Sequence, residues 1–178
     1  MGEDSFSDLM TSLDAPLIVL TTTAEGQRAG CLVGFHAQSS IAPEHYCVWL
    51  SKANHTYRVG LRAQYFAVHF LTSTDLGLAE AFGTRSGADV DKFSGLELDD
   101  DQTGVPLLRA CRHRLVLERI AILDDGGDHV CLTTRVLRAM TEGPFAPLRL
   151  SAASHLEPGR SSEERAVHAD PVKDLDAG

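Results

Sequence analysis

The chain has 178 residues, 43% of them apolar, and a formal net charge of −9 with a pI near 5.3. That length suits one domain with a substantial core, and the apolar share excludes global disorder. The acid excess excludes a general nucleic-acid binder, because phosphate affinity needs clustered Lys and Arg; the one dense basic run, Arg109, Arg112 and Arg114, reads as a solvated strand end.

Residues 1–14 carry acids and no long apolar run, which predicts a short leading segment and no signal peptide. No window reaches the roughly 18 apolar residues of a membrane span. Residues 16–23 form a Val/Ile/Leu/Thr strand, 24–27 a turn, and 29–37 a returning strand, together a hairpin. Gly30 and Gly34 weaken that second strand unless something approaches its backbone closely. A third strand is predicted over 45–50, with Val48 and Trp49 on opposite faces. Asn54 then caps a helix running to Gln64, with Tyr57, Val59 and Leu61 turned inward. Residues 65–71 make a fourth strand, and Ser73 or Thr74 caps a second helix with Leu76, Ala79 and Phe82 at helical spacing.

The stretch 83–104 is rich in Gly and Asp, and within it Asp91-Lys92-Phe93-Ser94-Gly95 is expected to close a short helical passage. Two long strands, 112–123 and 129–140, are joined by Asp124-Asp125-Gly126-Gly127, a strong hairpin signal. Past Pro144 the periodicity fades, and 157–178 reads as a flexible tail after a domain over 15–156. Six or more strands and two or three short helices, mostly in hairpins, predict a mainly β, closed antiparallel barrel.

The nucleotide-binding glycine fingerprints and the G-x-S-x-G elbow are absent from the sequence. The four cysteines stand singly, a pattern of reduced, packed thiols in a cytoplasm. His45-x-Cys47 and His129-x-Cys131 place pairs on one strand face, which is too little for zinc, so no metal is expected. Asn54-His55-Thr56 matches a glycosylation acceptor by letter only. From Gly30 to Pro43, glycines and small side chains leave backbone groups open to a flat heterocycle, although a bulged edge strand accounts for the same spacing. Ser51 to Thr56 joins hydroxyls, a cation and a helix start, suited to an anion or simply to an N-cap.

Taken in order, Gly30-x-x-Val33 with Ser40-x-x-Pro43, Asn54-x-Thr56, Phe66-Ala67-Val68 leading into Leu78-Ala79-Glu80-x-Phe82, Asp91-Lys92-Phe93 and Gly127-Asp128-His129 resemble the flavin reductase-like, FMN-binding split-barrel family. The resemblance runs from about Ala15 to Met140. It implies a split β-barrel with Greek-key-like antiparallel strands, working as a cytoplasmic homodimer. The implied cofactor is FMN, with FAD as the alternative, and NAD(P)H is the implied co-substrate whose hydride passes to the flavin. Carried onto this chain, Leu32, Val33, Gly34, Phe35 and His36 would line the flavin ring. Trp49, Leu50, Ser51, Asn54 and Thr56 would hold its ribityl and phosphate end, Lys92 would lie near the cofactor, and His129 would face the nicotinamide as the catalytic residue. A monooxygenase is an implied partner class. The chain departs from the family's pattern at Gly34-Phe35, where hydroxyls are usual, at His36-Ala37, where Phe and Thr are common, and at His69, where Asn is frequent. Those departures keep a second reading open, a flavin-binding carrier or redox sensor without turnover, and a third, a partner-binding barrel with an empty pocket.

Overall fold

The computed structural model describes residues 5–157; apart from Glu157, the expected tail lies outside them. Nine strands, β1 (Ile18–Ala24), β2 (Gln27–Val33), β3 (His36–Ser40), β4 (His45–Ser51), β5 (Tyr65–Phe70), β6 (Leu98–Asp99), β7 (Leu107–Leu108), β8 (Arg114–Leu123) and β9 (His129–Met140), are interspersed with helices α1 (Ser5–Leu13), α2 (His55–Gly60) and α3 (Leu76–Gly83). Seven strands make one antiparallel sheet in the order β2-β1-β5-β8-β9-β4-β3. The β1–β2 hairpin turns at Glu25-Gly26, both with positive φ (52° and 76°). Gly26 adopts that conformation without a Cβ penalty.

The sheet curls around one core, in which Ile18, Leu20, Val48, Leu50, Phe66, Val68, Leu117 and Leu132 are buried. Alternation supplies this face: on β4, Val48 and Leu50 point in, whereas Trp49 points out and is half-buried. A second core lies where β1 meets α3, with Val19, Leu71, Ala79, Phe82, Phe93 and Leu148. A Cβ on Gly30 would stand 2.7 Å from the Phe82 ring, so this glycine lets α3 approach β2.

The expected second strand over 29–37 is in fact two. The chain leaves β2 at Val33, turns through Gly34-Phe35, and begins β3 at His36, which pairs with β4 rather than with β1. Because β2 and β3 end up at opposite ends of the strand order, the barrel is split and not closed as the strand count suggested. The helix predicted to reach Gln64 ends at Gly60, and Leu61 is exposed. Asp75, not Ser73 or Thr74, occupies the N-cap position of α3, its carboxylate accepting from the Thr72 amide at 2.8 Å. Asp91 to Gly95 forms turns and no helix. Among the described residues no helix is long and apolar enough to cross a membrane.

Candidate functional site

The split brings three chain segments together. The Trp49 amide donates to the Phe35 carbonyl at 2.9 Å, and the Lys52 amide donates to the Asp128 carbonyl at 2.9 Å. Ser51 pairs with His129 across the β4–β9 ladder. The rings of Phe35 and His129 therefore meet, with centroids 5.1 Å apart. The Gly34 corner, the end of β4 and the start of β9 thus form one rim, although 95 residues separate Gly34 from His129 in sequence. A Cβ at Gly34 would touch only Leu17 at an ordinary 3.7 Å, so packing does not demand a glycine there. His129 Nδ1 lies 2.7 Å from Asp128 Oδ1. Nδ1 is thereby engaged as the donor to Asp128, and Nε2 is the other ring nitrogen. The same bond holds the Asp128 carboxyl below the usual carboxylate range.

A second group lies behind the first, along β2. The Lys92 ammonium donates to the carbonyls of Phe82 (2.8 Å) and Gly30 (3.1 Å), stapling the 84–93 loop to β2. Burial pulls its pKa down. Cys31 faces Thr56, Asn54 and Lys92; burial raises its thiol above the usual range, with those three neighbours opposing the shift. Between Gly26–Gly30 and Gly87–Phe93 opens a cleft of about 390 Å³, bordered by Arg28 and Lys92. His55 reaches Gln27 at 3.1 Å on the same side, and its ring packs against Gly87, where a Cβ would come within 3.2 Å.

The structure distributes the residues singled out from sequence unevenly. Phe35, Trp49, Ser51 and His129 share the rim, and Asn54, Thr56 and Lys92 share the rear group. The side chains of Val33 and Leu50 lie in the barrel core, and Leu32 packs toward α3, so these three have backbone groups to offer. His36 is engaged internally: Nδ1 lies 2.6 Å from the Tyr46 hydroxyl and Nε2 2.8 Å from the Pro16 carbonyl. Burial lowers its pKa, and Tyr46 is pushed up to about 12 by its own burial. The helix start expected to help bind an anion belongs to a helix of only six residues, which leaves little macrodipole. Sequence reasoning missed Arg28, Cys31 and Asp128 as parts of the site. Asp128 sits inside the Gly-Asp-His signal, whereas Arg28 and Cys31 carry no motif and depend on the β2 pairing.

The rim fits a flat heteroaromatic ligand, to which Phe35 and His129 offer ring surfaces with Trp49 on the neighbouring strand. The separate cleft along β2, in the size range of small-molecule sites, carries Arg28 and Lys92 beside Asp89 and Asp91. Among the described residues no group of three or more His, Cys, Asp or Glu side chains is placed to hold a metal.

The model of the flavin reductase like domain matches residues 10–152, and the chain belongs to that family. It is 26% identical over 114 residues to the ferric-chelate reductase (NAD(P)H) of Archaeoglobus fulgidus, covering 64% of this chain and 68% of that protein. Its fold is similar to that of a candidate oxidoreductase of Sinorhizobium meliloti 1021 (TM-score 0.74, 21% identity), covering 84% of this chain but only 51% of that one. It is also similar to the NADH:FAD oxidoreductase SgcE6 of Streptomyces globisporus C-1027 (TM-score 0.74, 17% identity), covering 86% and 92% of the two chains. At these identities the structural likenesses carry the fold alone.

Proposed function

We propose that this protein is an NAD(P)H-dependent flavin reductase, taking FMN before FAD, and that it works as a cytoplasmic homodimer with the flavin site near or across the interface. The observation that carries the reading is the convergence of the Gly34-Phe35 corner, Trp49–Ser51 and Asp128-His129 at one rim of a split barrel, within a chain of the flavin reductase like family. The relative from Archaeoglobus, itself a NAD(P)H-dependent reductase by name, supports the choice of co-substrate. A bound flavin supplies a two-electron acceptor for hydride.

The chain's part is to orient and to exclude water. Phe35 and Trp49 give the rim an apolar floor. Asp128 holds the His129 ring at Nδ1, and a nicotinamide placed against that ring is sensitive to small displacements. Lys92 and Arg28, the latter paired with Asp91, are the cations of the cleft and would be the groups to meet a phosphate there. A monooxygenase that consumes reduced flavin is the partner class in keeping with this reading.

Titration with FMN and FAD, followed by steady-state oxidation of NADH and NADPH with added flavin, tests the proposal. Micromolar flavin binding with turnover is expected. Binding without turnover would favour a carrier, a reading that the missing hydroxyls at Gly34-Phe35 motivate. No binding of either flavin at high protein concentration would remove the functional reading altogether.

A further inference from the structure

Two of the four cysteines, far apart in sequence, meet on the outward face of the sheet. The Trp49 amide donates toward β3, to the Phe35 carbonyl, and the Lys52 amide donates toward β9, to the Asp128 carbonyl. Successive residues of β4 turn their backbone groups to alternate sides, so Cys47 shares the β3 side with Trp49. Toward β9, the pairs Cys47–Thr133 and Trp49–Cys131 are therefore not hydrogen-bonded, the kind whose side chains stand closer. Cys47 and Cys131 are diagonal neighbours across these two pairs and point to the same face. Their thiols are in hydrogen-bonding contact.

The surroundings suit a bond between these two sulfurs. Cys47 is buried and Cys131 half-buried, so an oxidant reaches Cys131 first. Cys31 lies in the main core and Cys111 in the second, away from this face. Diagonal neighbours stand about 7 Å apart, which is the outer limit that a disulfide spans. A bridge at that limit is strained and readily reduced, the property of a reversible bond rather than a structural one. Burial pushes the Cys131 thiol up to about 11, with Cys47 and Asp125 adding to the shift. Little of it is thiolate at neutral pH, so the pair answers sustained oxidant and not a brief pulse.

We propose that Cys47 and Cys131 are a redox-active pair that hydrogen peroxide closes into a disulfide, pinning β4 to β9 just behind the Ser51–His129 end of the rim. In the first step the peroxide O–O bond breaks and an S–O bond forms on Cys131, giving a sulfenic acid and one water. In the second, the Cys47 sulfur attacks that sulfur, the S–O bond breaks, and the hydroxyl leaves with the Cys47 proton as a second water. Two thiols and one peroxide thus become one disulfide and two waters. The source of peroxide rests on the functional reading, since reduced flavin that meets oxygen releases hydrogen peroxide at that rim. The pairing of the two sulfurs does not rest on it.

The test exposes the full-length, pre-reduced protein, without flavin, to hydrogen peroxide, then counts free thiols after unfolding and maps the peptides by mass spectrometry. Two of the four thiols are expected to be lost, in a peptide that joins Cys47 to Cys131, and dithiothreitol should restore both. Trp49 is the chain's single tryptophan and stands opposite Cys131, so its emission should fall as the bridge forms and recover on reduction. Cys47→Ala and Cys131→Ser should each abolish that response, and Cys111→Ala should keep it. Four surviving thiols, a bridge to Cys31 or Cys111, a bridge between two chains, or a response that survives Cys47→Ala overturns the proposal. The wild-type peptide map decides the matter even where a variant fails to fold. Because peroxide is added directly, a bridge that forms in a protein unable to bind flavin refutes the functional reading and leaves the thiol pair standing.

Discussion

Burial makes His69 a neutral pin of the fold, and acid should pull it out. Its ring is buried where β1, β5 and β7 meet. Nδ1 donates to the Val19 carbonyl (3.2 Å) and Nε2 accepts from the Leu108 amide (3.0 Å). Desolvation, chiefly, lowers its pKa to about 3; the Val19 bond opposes the shift and Arg114 adds to it. In the unfolded chain the same ring titrates near its ordinary value of about 6.5. The unfolded state therefore binds a proton that the folded state refuses. Stability from this site is complete above pH 6.5 and falls as the pH drops from 6.5 toward 3, by about 1.4 kcal/mol per unit. Between pH 7 and pH 5 the loss is about 2 kcal/mol. His69→Gln keeps a donor and an acceptor but does not titrate. Urea unfolding of both proteins at pH 7 and pH 5 isolates the effect, since the carboxylates and other histidines are common to both. The wild type should lose about 2 kcal/mol more than the variant. Equal losses would refute the pinned, neutral histidine.

Three further outcomes test the site and its scaffold. His129→Ala should slow reduction of bound flavin or weaken NAD(P)H binding by about tenfold or more, with FMN affinity little changed, because ring stacking suffers from small displacements; stopped-flow absorbance reads both, and unchanged values return His129 to a structural role. Lys92→Met should lower stability by about 1–3 kcal/mol, since it orphans the Gly30 and Phe82 carbonyls, and should weaken FMN binding more than it alters the choice between NADH and NADPH; full stability in denaturant would show that the staple is dispensable. Gly30→Ala should cost about 1–3 kcal/mol by overpacking against Phe82, and Phe82→Leu should recover part of it in the double variant; additive losses in thermal unfolding would argue against that contact.

Much of this protein follows from local pattern. Alternation and turn chemistry place β1, β4, β5, β8 and β9 within a residue or two, because a half-buried strand repeats with period two and Asp-Gly or Glu-Gly turns have few alternatives. The Gly127-Asp128-His129 and Asp91-Lys92-Phe93 segments carry the family resemblance, and the model match over 10–152 agrees with it. Local pattern is silent where the partner strand decides. The residues from Val33 to His36 carry no strong turn signal, so nothing in their spacing reveals that the chain changes partners at Gly34 and splits the barrel. For the same reason Leu32, Val33, Leu50 and His36 look alike as candidates from sequence, while pairing and packing send Val33 and Leu50 into the core, Leu32 toward α3, and His36 onto Tyr46 and Pro16. The rim likewise joins the Gly34-Phe35 corner to the end of β4 and the start of β9. Only the registers assemble it, because which face a strand buries is decided by neighbours that are distant in sequence.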